Sequence, residues 1–150
     1  IAGFPTETHH DHELTLELLH EVQYDGAFTF KYSPRENTKA WHMGDDIPEQ
    51  TKIDRLNEII DVQREISSVR NQDLVGQTLH VLLEGTSKKS QEDFNGRTDT
   101  NKMVVFPRTK HSIGEYVNIV IERANSATLF GTVVLTSRNT HVGTHLAQNA

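Results

Sequence analysis

The stretch TLHVLLE, residues 78–84, decides how this chain folds. Leu79, Val81 and Leu83 fall on every second position, and a period of two marks a half-buried strand. Upstream of it the apolar residues recur every third or fourth position instead. The chain therefore changes architecture near residue 74: the first part reads as α/β, the second as all-β.

Forward of this stretch, the strand signals repeat. Gly85-Thr86-Ser87 turns the chain, and a strand around Phe94 ends at Gly96. Residues 102–106 form another, stopped by Pro107. Residues 116–122 point Val117, Ile119 and Ile121 inward, Asn125-Ser126 turns, and residues 128–135 close the set. Five short strands in some 60 residues predict a small antiparallel barrel of the OB type. Residues 136–150, TSRNTHVGTHLAQNA, read as a loose polar tail.

Backward, a long helix runs from Pro48, which a first helical turn tolerates, to about Asn71. Ile53, Leu56, Ile60 and Gln63 mark one stripe of it, and Ile59, Ile66 and Val69 a second. At ~1.5 Å per residue it would span roughly 35 Å. Ahead of it, IAGFPTET (residues 1–8) reads as a buried strand entering a strand-to-helix loop. Thr6 or Thr8 can cap the next helix, whose stripe is Leu14, Leu18 and Val22 with Leu19 beside them. Asp25-Gly26 turns, and residues 27–32 set Phe28, Phe30 and Tyr32 alternating as a strand. Strand, helix, strand is a βαβ unit with a right-handed crossover. Pro34 ends it, and 33–46 is a polar loop of the kind that carries function in α/β folds. A lone opening strand leaves backbone groups unpaired, so the numbering is expected to begin partway through a larger protein.

Composition limits the function classes. The 35% apolar and 24% charged content is that of a soluble globular protein. No apolar run approaches the ~20 residues that cross a bilayer, so no membrane partner is expected. With no cysteine the segment forms no disulfide, Cys-ligated zinc site or iron–sulfur cluster by itself, which fits a cytoplasmic protein. The net charge of −6 is uneven. Residues 1–73 hold fifteen Asp/Glu and seven Lys/Arg, while residues 74–135 hold six and seven. A nucleic-acid partner would therefore meet the second part.

Few stretches carry chemistry. THHDHE (8–13) puts His9, His12 and Glu13 on one helical face, but a further ligand and its supporting shell are missing. A solvated first turn rich in polar residues is the better reading. No GxSxG elbow, GxGxxG or P-loop is present, so no catalytic nucleophile, general base or metal site is assigned. YSPRENT (32–38) follows a predicted parallel strand, where α/β barrels place their sites. Tyr32 and Arg35 there could meet an adenine, a carboxylate or a phosphate, or be an ordinary strand end with a surface Arg. Gly3 and Phe4 share that level on the preceding strand. In the second part, GTSKKS (85–90) and GRTDTNK (96–102) carry Lys88, Lys89, Arg97 and Lys102. Cationic loops of OB-type barrels bind single-stranded nucleic acid, though Lys and Arg also belong on ordinary surfaces.

IAGFPTET, FTFKYSPRENTKA, DDIPEQTKIDRLNEII, VGQTLHVLLEG, GRTDTNKMVVF and IGEYVNIVI, in that order, resemble the methylthiotransferases. These are radical S-adenosylmethionine enzymes that modify tRNA or a ribosomal protein. The likeness runs from Ile1 to about Val134 and covers roughly the last third of such a protein. FKYSPR and GRTDTNKMVVF are similar to the tRNA-modifying branch; the ribosomal-protein branch usually has Asp-Ala-Pro after the GRT element, where Asn101-Lys102-Met103 stand here.

The resemblance implies a fold and a function. Residues 1–73 would be the last βαβ portion of a radical-SAM, TIM-like barrel with its connecting helix. Residues 74–135 would be a five-stranded OB-like TRAM barrel that holds tRNA. The family reaction adds a 2-methylthio group to isopentenyladenosine beside the anticodon, using S-adenosylmethionine and two 4Fe-4S clusters whose cysteines lie upstream. Gly3, Phe4, Tyr32 and Ser33 would border the S-adenosylmethionine site. Arg35 would face the substrate. Lys88, Lys89, Arg97, Asn101 and Lys102 would contact the tRNA anticodon stem-loop. The partners implied are tRNA and the rest of the enzyme upstream of Ile1, without which this segment would be inactive. Two other readings stay open: a stand-alone RNA-binding module without catalysis, and an enzyme acting on a ribosomal protein. The sequence departs from the family at three places. Thr6 stands where Gly is common, Glu36-Asn37 where Pro-Gly is common, and His9-His10 where acids are usual.

Overall fold

The computed structural model describes residues 1–134; the predicted tail, 136–150, lies outside them. The elements are α1 (His9–Val22), α2 (Lys39–His42), α3 (Glu49–Gln72), β1 (Thr78–Thr86), β2 (Asp93–Thr98), β3 (Met103–Pro107), β4 (Tyr116–Ala124) and β5 (Leu129–Val133).

The five strands close into a barrel in the order β1-β2-β3-β5-β4. All neighbours are antiparallel except β3 and β5, which pair in parallel through Val104–Leu129 and Val105–Phe130. The purely antiparallel expectation is corrected at that one seam, where β5 returns beside β3 to close the cylinder. The alternation predicted from residues 78–84 holds. Val81, Leu83, Phe94, Val104, Phe106, Val117, Ile119, Ile121 and Leu129 fill the interior. A side chain at Gly131 would have its Cβ 2.0 Å from the carbonyl oxygen of Val120. Closure therefore depends on glycine there, because backbone approaches backbone.

The first part holds together through its helices. Thr8 caps α1, and its hydroxyl and the Asp11 carboxylate exchange hydrogen bonds with each other's backbone amides. The Thr8 amide and then the Thr8 hydroxyl, both donating to the Asp11 carboxylate, hold that carboxyl below its usual range. Ala2, Leu19, Ile59 and Ile66 form the core between α1 and α3, with Leu16, Leu56 and Val62 around them.

Three sequence expectations change here. Leu14, Leu18 and Val22 are each about half exposed. α1 instead turns His12, Leu16 and Leu19 toward α3, and the His12 ring is buried against the Glu58 carboxylate. On α3, Ile53 and Val69 face outward, and the buried line runs through Lys52, Ile59, Gln63, Ile66, Ser67 and Asn71. Ile59, Gln63 and Ile66 stand in the expected stripes; Lys52, Ser67 and Asn71 were missed because they are polar, and hydrophobic periodicity cannot register them. Finally, the strand expected over residues 27–32 is reduced to one parallel bridge. Ala2 N–H donates to the Phe30 carbonyl and Tyr32 N–H to the Ala2 carbonyl, each at 2.8 Å. Among the described residues no further strand extends this pair, and an isolated pair of strands gains little. Phe28 and Phe30 stay exposed as a result.

Candidate nucleic-acid interface

The barrel has two ends, and the cationic residues singled out in the sequence divide between them. β1 rises to the loop 87–92 and β2 returns, so Lys88 and Lys89 stand at the upper end, both exposed. The β3–β4 loop joins them there. Arg108 N–H donates to the Glu92 carbonyl, and its guanidinium donates to Thr86 Oγ1 at 3.3 Å and lies over the Phe94 ring. Lys110 follows two residues later. Among the described residues Lys88, Lys89, Arg108 and Lys110 form no ion pair. Sequence reading missed Arg108 and Lys110, because only the approach of the two loops brings them to the lysines. In the same loop His111 Nδ1 lies 3.0 Å from the Glu115 carboxylate, which it holds below the usual range together with the Ser112 backbone amide contact.

Arg97, Asn101 and Lys102 occupy the lower end, about 20 Å away by the rise of a six-residue strand. There the β2–β3 turn is built on Thr98 and on Asn101, whose φ of 64° is the left-handed conformation Asn tolerates. Asn101 N–H donates to the Thr98 carbonyl at 2.9 Å. Arg97 Nη1 donates to the Asn101 side-chain oxygen at 3.0 Å, while its Nε lies 3.3 Å from Glu84. Arg97 is thus held flat along the turn.

Lys102 is used differently. Its side chain is only 12% exposed, and Nζ donates to Asp25 Oδ1 at 2.6 Å and to Asn71 Oδ1 at 2.8 Å. Asp25 also accepts from Arg70 Nε at 2.8 Å. Arg70 and then Lys102 hold the Asp25 carboxyl below its usual range, and Asp25 raises Arg70 in return. Asn71 completes the junction by donating to the Asn125 carbonyl of the β4–β5 turn at 2.8 Å. One acid from the end of α1 and one amide from the end of α3 thus tie two barrel turns to the helices. In the sequence Asp25 registered only as a turn signal.

Between these parts lies a crevice of about 860 Å³. Its walls are the segment 25–29, the Ile60–Asn71 face of α3, and the barrel residues Arg97, Thr100–Met103 and Ser126–Thr128.

The other candidate residues gather at the opposite end of the helical layer. Gly3 and Tyr32 sit on the two bridged segments, and the Phe4 and Tyr32 rings meet edge to face at 5.4 Å. Lys52, buried, pairs with Asp45 and sets Nζ 5.6 Å from the Tyr32 ring centre. A Cβ on Gly3, whose φ is 73°, would lie 2.3 Å from the Lys52 stem. The Gly3 and Phe4 amides both donate to Glu7 Oε2, and Glu7 in turn pairs with Arg55 at 2.6 Å. The Tyr32 hydroxyl is buried and has no partner. Ser33 and Arg35 are exposed beyond this corner. Thr6, at the position where glycine is common in the resembling family, has a φ of 70°, and Asn37 has 65°. His9 and His10 face Glu13 on the surface of α1, and among the described residues no three metal-ligating side chains converge. Nor is any helix there long and apolar enough to cross a membrane.

Comparison with known proteins bears on both halves. Residues 72–134 match the TRAM domain family, and the closed barrel is that domain. The chain is 51% identical over 131 residues to tRNA-2-methylthio-N(6)-dimethylallyladenosine synthase of Azobacteroides pseudotrichonymphae genomovar. CFP2. It is 48% identical over 136 residues to the protein of the same name from Porphyromonas gingivalis (strain ATCC BAA-308 / W83). A third, from Bacteroides thetaiotaomicron, is 49% identical over 131 residues. These alignments cover 87–90% of this chain and 29% of each relative, so the chain spans less than a third of their length. A 131-residue match cannot be confined to the barrel; it takes in the helical part as well. The chain is homologous to tRNA methylthiotransferases and carries a TRAM domain.

Proposed function

We propose that this chain is the C-terminal part of a methylthiotransferase that adds a 2-methylthio group to isopentenyladenosine beside the anticodon of tRNA. The observation that carries this is the 48–51% identity to enzymes of that name, over an alignment too long to fit within the TRAM domain.

The barrel's part is to hold the RNA. Lys88, Lys89, Arg108 and Lys110 at the upper end are free to meet phosphates, which position an RNA without reading its sequence. Arg97 and Asn101 offer a second contact at the lower end. Lys102 acts at one remove: its ammonium fixes the β2–β3 turn against the helices, so that Arg97 and Asn101 keep their direction. The acidic first part repels stray phosphates and confines the RNA to the barrel side.

The corner formed by Gly3, Phe4, Tyr32 and Ser33 suits the border of an S-adenosylmethionine site. The buried Tyr32 hydroxyl lacks a partner and can meet a polar group there. Phe4 supplies an apolar edge. Gly3 contributes by shape, since its amide and that of Phe4 are already taken by Glu7. Arg35, exposed beyond Ser33, faces the substrate side. S-adenosylmethionine, cleaved at one 4Fe-4S cluster, would supply the radical, and a second cluster the support for sulfur insertion. Cysteine ligands for both must come from outside these 150 residues. The setting for this chemistry is the cytoplasm.

Binding to an isopentenylated anticodon stem-loop tests the proposal. The expected result is binding that weakens steeply with salt and no turnover by the 150-residue chain alone. Absence of RNA binding, with affinity for a ribosomal protein instead, would overturn it.

A further inference from the structure

We propose that the outer face of the barrel between β1 and β4 is a stacking shelf for one unpaired base of the bound RNA, and that the Tyr116 ring, backed by His80, is the surface on which the base lies. The inference rests on the RNA-binding reading above and deepens it by naming the contact surface and the nucleotide state it selects.

The barrel strands carry Phe94, Phe106, Tyr116 and Phe130, and three of these rings are already engaged. Phe94 and Phe106 meet edge to face in the interior. Phe130 is partly buried and carries the Arg123 guanidinium 3.6 Å from its ring centre. Tyr116 differs. It is 61% exposed although its ring is stacked on that of His80, with centroids 4.6 Å apart and planes 16° from parallel. A ring covered on one side and still so exposed keeps its other side open. The register explains the stack: His80 stands opposite Asn118 and Leu82 opposite Tyr116, so His80 and Tyr116 are diagonal neighbours on one face. The Tyr116 side chain is therefore ordered before RNA arrives, and little freedom is lost when a base settles on it.

The surroundings indicate the occupant. Leu82 also stands opposite Arg97 of β2, so a single row about 10 Å wide reads Arg97, Leu82, Tyr116 across three strands. Arg97 gives Nε to Glu84 and Nη1 to Asn101, and its Nη2 has no partner among the described residues. It can meet a phosphate while the base lies on the ring. The other acid beside the shelf, Glu115, is engaged by His111. Asn118, exposed, has no side-chain hydrogen bond among the described residues, and its amide suits the edge of a stacked base. The loop carrying Arg108 and Lys110 runs from the cationic upper end directly into Tyr116, so a strand held there passes onto the shelf. An open ring with cations along the path of the backbone is the pattern that holds single-stranded nucleic acid. A base inside a duplex has both faces in its stack, so only an unpaired one can lie here. The face needs no further strand to complete it, because the barrel closes on itself. The helical part meets β4 at the opposite end, where Asn71 bonds the Asn125 carbonyl, ~25 Å from Tyr116 by strand rise.

The test compares two RNAs, a hairpin with adenosines in its loop and a blunt duplex of the same stem, with 2-aminopurine at one loop adenosine as a fluorescent reporter. Three variants of the 150-residue chain are measured. Tyr116→Thr removes the ring and keeps a strand-forming residue. Tyr116→Leu keeps apolar bulk without an aromatic face, and Tyr116→Phe keeps the ring without the hydroxyl. Wild type is expected to prefer the hairpin and to quench the 2-aminopurine emission. Tyr116→Thr and Tyr116→Leu should bind the hairpin about tenfold more weakly, the scale of one lost base stack, and lose the quench. Their salt slope should stay that of wild type, because the ring carries no charge. Duplex affinity and thermal unfolding should not change, and Tyr116→Phe should bind as wild type does. If Tyr116→Thr fails to fold, Tyr116→Leu carries the comparison. Should the folded variants without the ring keep the wild-type hairpin preference, the shelf is refuted and the RNA reading survives. An equal loss in Tyr116→Phe would put the contact on the hydroxyl and refute the stack. Equal binding of hairpin and duplex by wild type would also refute it. No binding of either RNA would remove the RNA reading itself, and the shelf with it.

Discussion

Replacing Lys102 by methionine separates two roles that one lysine could have. Methionine keeps the apolar stem and removes the ammonium. Two hydrogen bonds vanish, one to Asp25 at 2.6 Å and one to Asn71 at 2.8 Å. Asp25 is 39% exposed and keeps Arg70, so that loss, screened by water, is worth about 0.5–1 kcal/mol. Asn71 is buried, and its orphaned oxygen costs about 1–2 kcal/mol. The sum, about 2 kcal/mol, lowers the melting temperature of a chain this size by about 6 °C. Asp25→Asn on the same background should show a coupling energy of about 1 kcal/mol, because the two side chains share one bond. The second readout is RNA affinity against salt. Each phosphate neutralised contributes about 0.7–0.9 to the slope of log K against log salt. If Lys102 holds the turn, Lys102→Met weakens binding while leaving that slope intact. A slope reduced by about 0.7–0.9 with an unchanged melting temperature would refute this reasoning and make Lys102 a direct phosphate contact.

Other perturbations reach other parts of the molecule. Lys88→Gln with Lys89→Gln should reduce the salt slope of RNA binding by up to about 1.5 without altering unfolding, as titration across several salt concentrations would report. Gly131→Ala drives a Cβ into the Val120 carbonyl; urea unfolding should show a loss of about 3 kcal/mol, at the upper end for overpacking because backbone must move. Thr6→Gly relieves a β-branched residue at a φ of 70° and should gain about 1 kcal/mol, a rise of about 3 °C. Asp11, Asp25 and Glu115 all have folded pKa values below their ordinary 3.8, 3.8 and 4.5. Each therefore adds stability in full above those values and loses it as pH falls through the lower folded ones. Melting temperatures measured by circular dichroism should not decline through these groups between pH 7 and 5.5, then fall below about pH 4.

The barrel was legible because its interior is apolar and its strands alternate. Val81 and Leu83, Val104 and Phe106, Val117 to Ile121 each announce a buried face from sequence alone. The helical part was legible in its elements and less so in its packing. Leu14, Leu18 and Val22 look like a core stripe, yet α1 turns His12 and Leu19 inward, because His12 finds Glu58 and Leu19 finds the α3 face. No local pattern can foretell a pair 46 residues apart. The site residues follow the same division. Arg97, Asn101 and the lysines were visible as cationic loops. That they fall at opposite ends of the barrel follows from strand direction, and that Lys102 is spoken for follows from Asp25, which read only as half of a turn.

The polar line along α3 has a mechanical meaning. An apolar helix face can slide or roll on its neighbour, since one greasy contact replaces another at little cost. Here Lys52 is matched to Asp45, Gln63 to the Tyr24 carbonyl, Ser67 to the Asp25 carbonyl, and Asn71 to Lys102 and the Asn125 carbonyl. The partners lie on four segments, the loop before α3, the turn after α1, the β2–β3 turn and the β4–β5 turn, and each match holds at one rotation and one height only. The helix is a keyed shaft: a roll of one residue, ~100°, misaligns every key together. Its two ends, one at the Gly3–Tyr32 corner and one at the barrel, are therefore geared to each other over its full length. A load on the barrel end of α3 is passed along it to the Gly3–Tyr32 corner as displacement of a rigid rod.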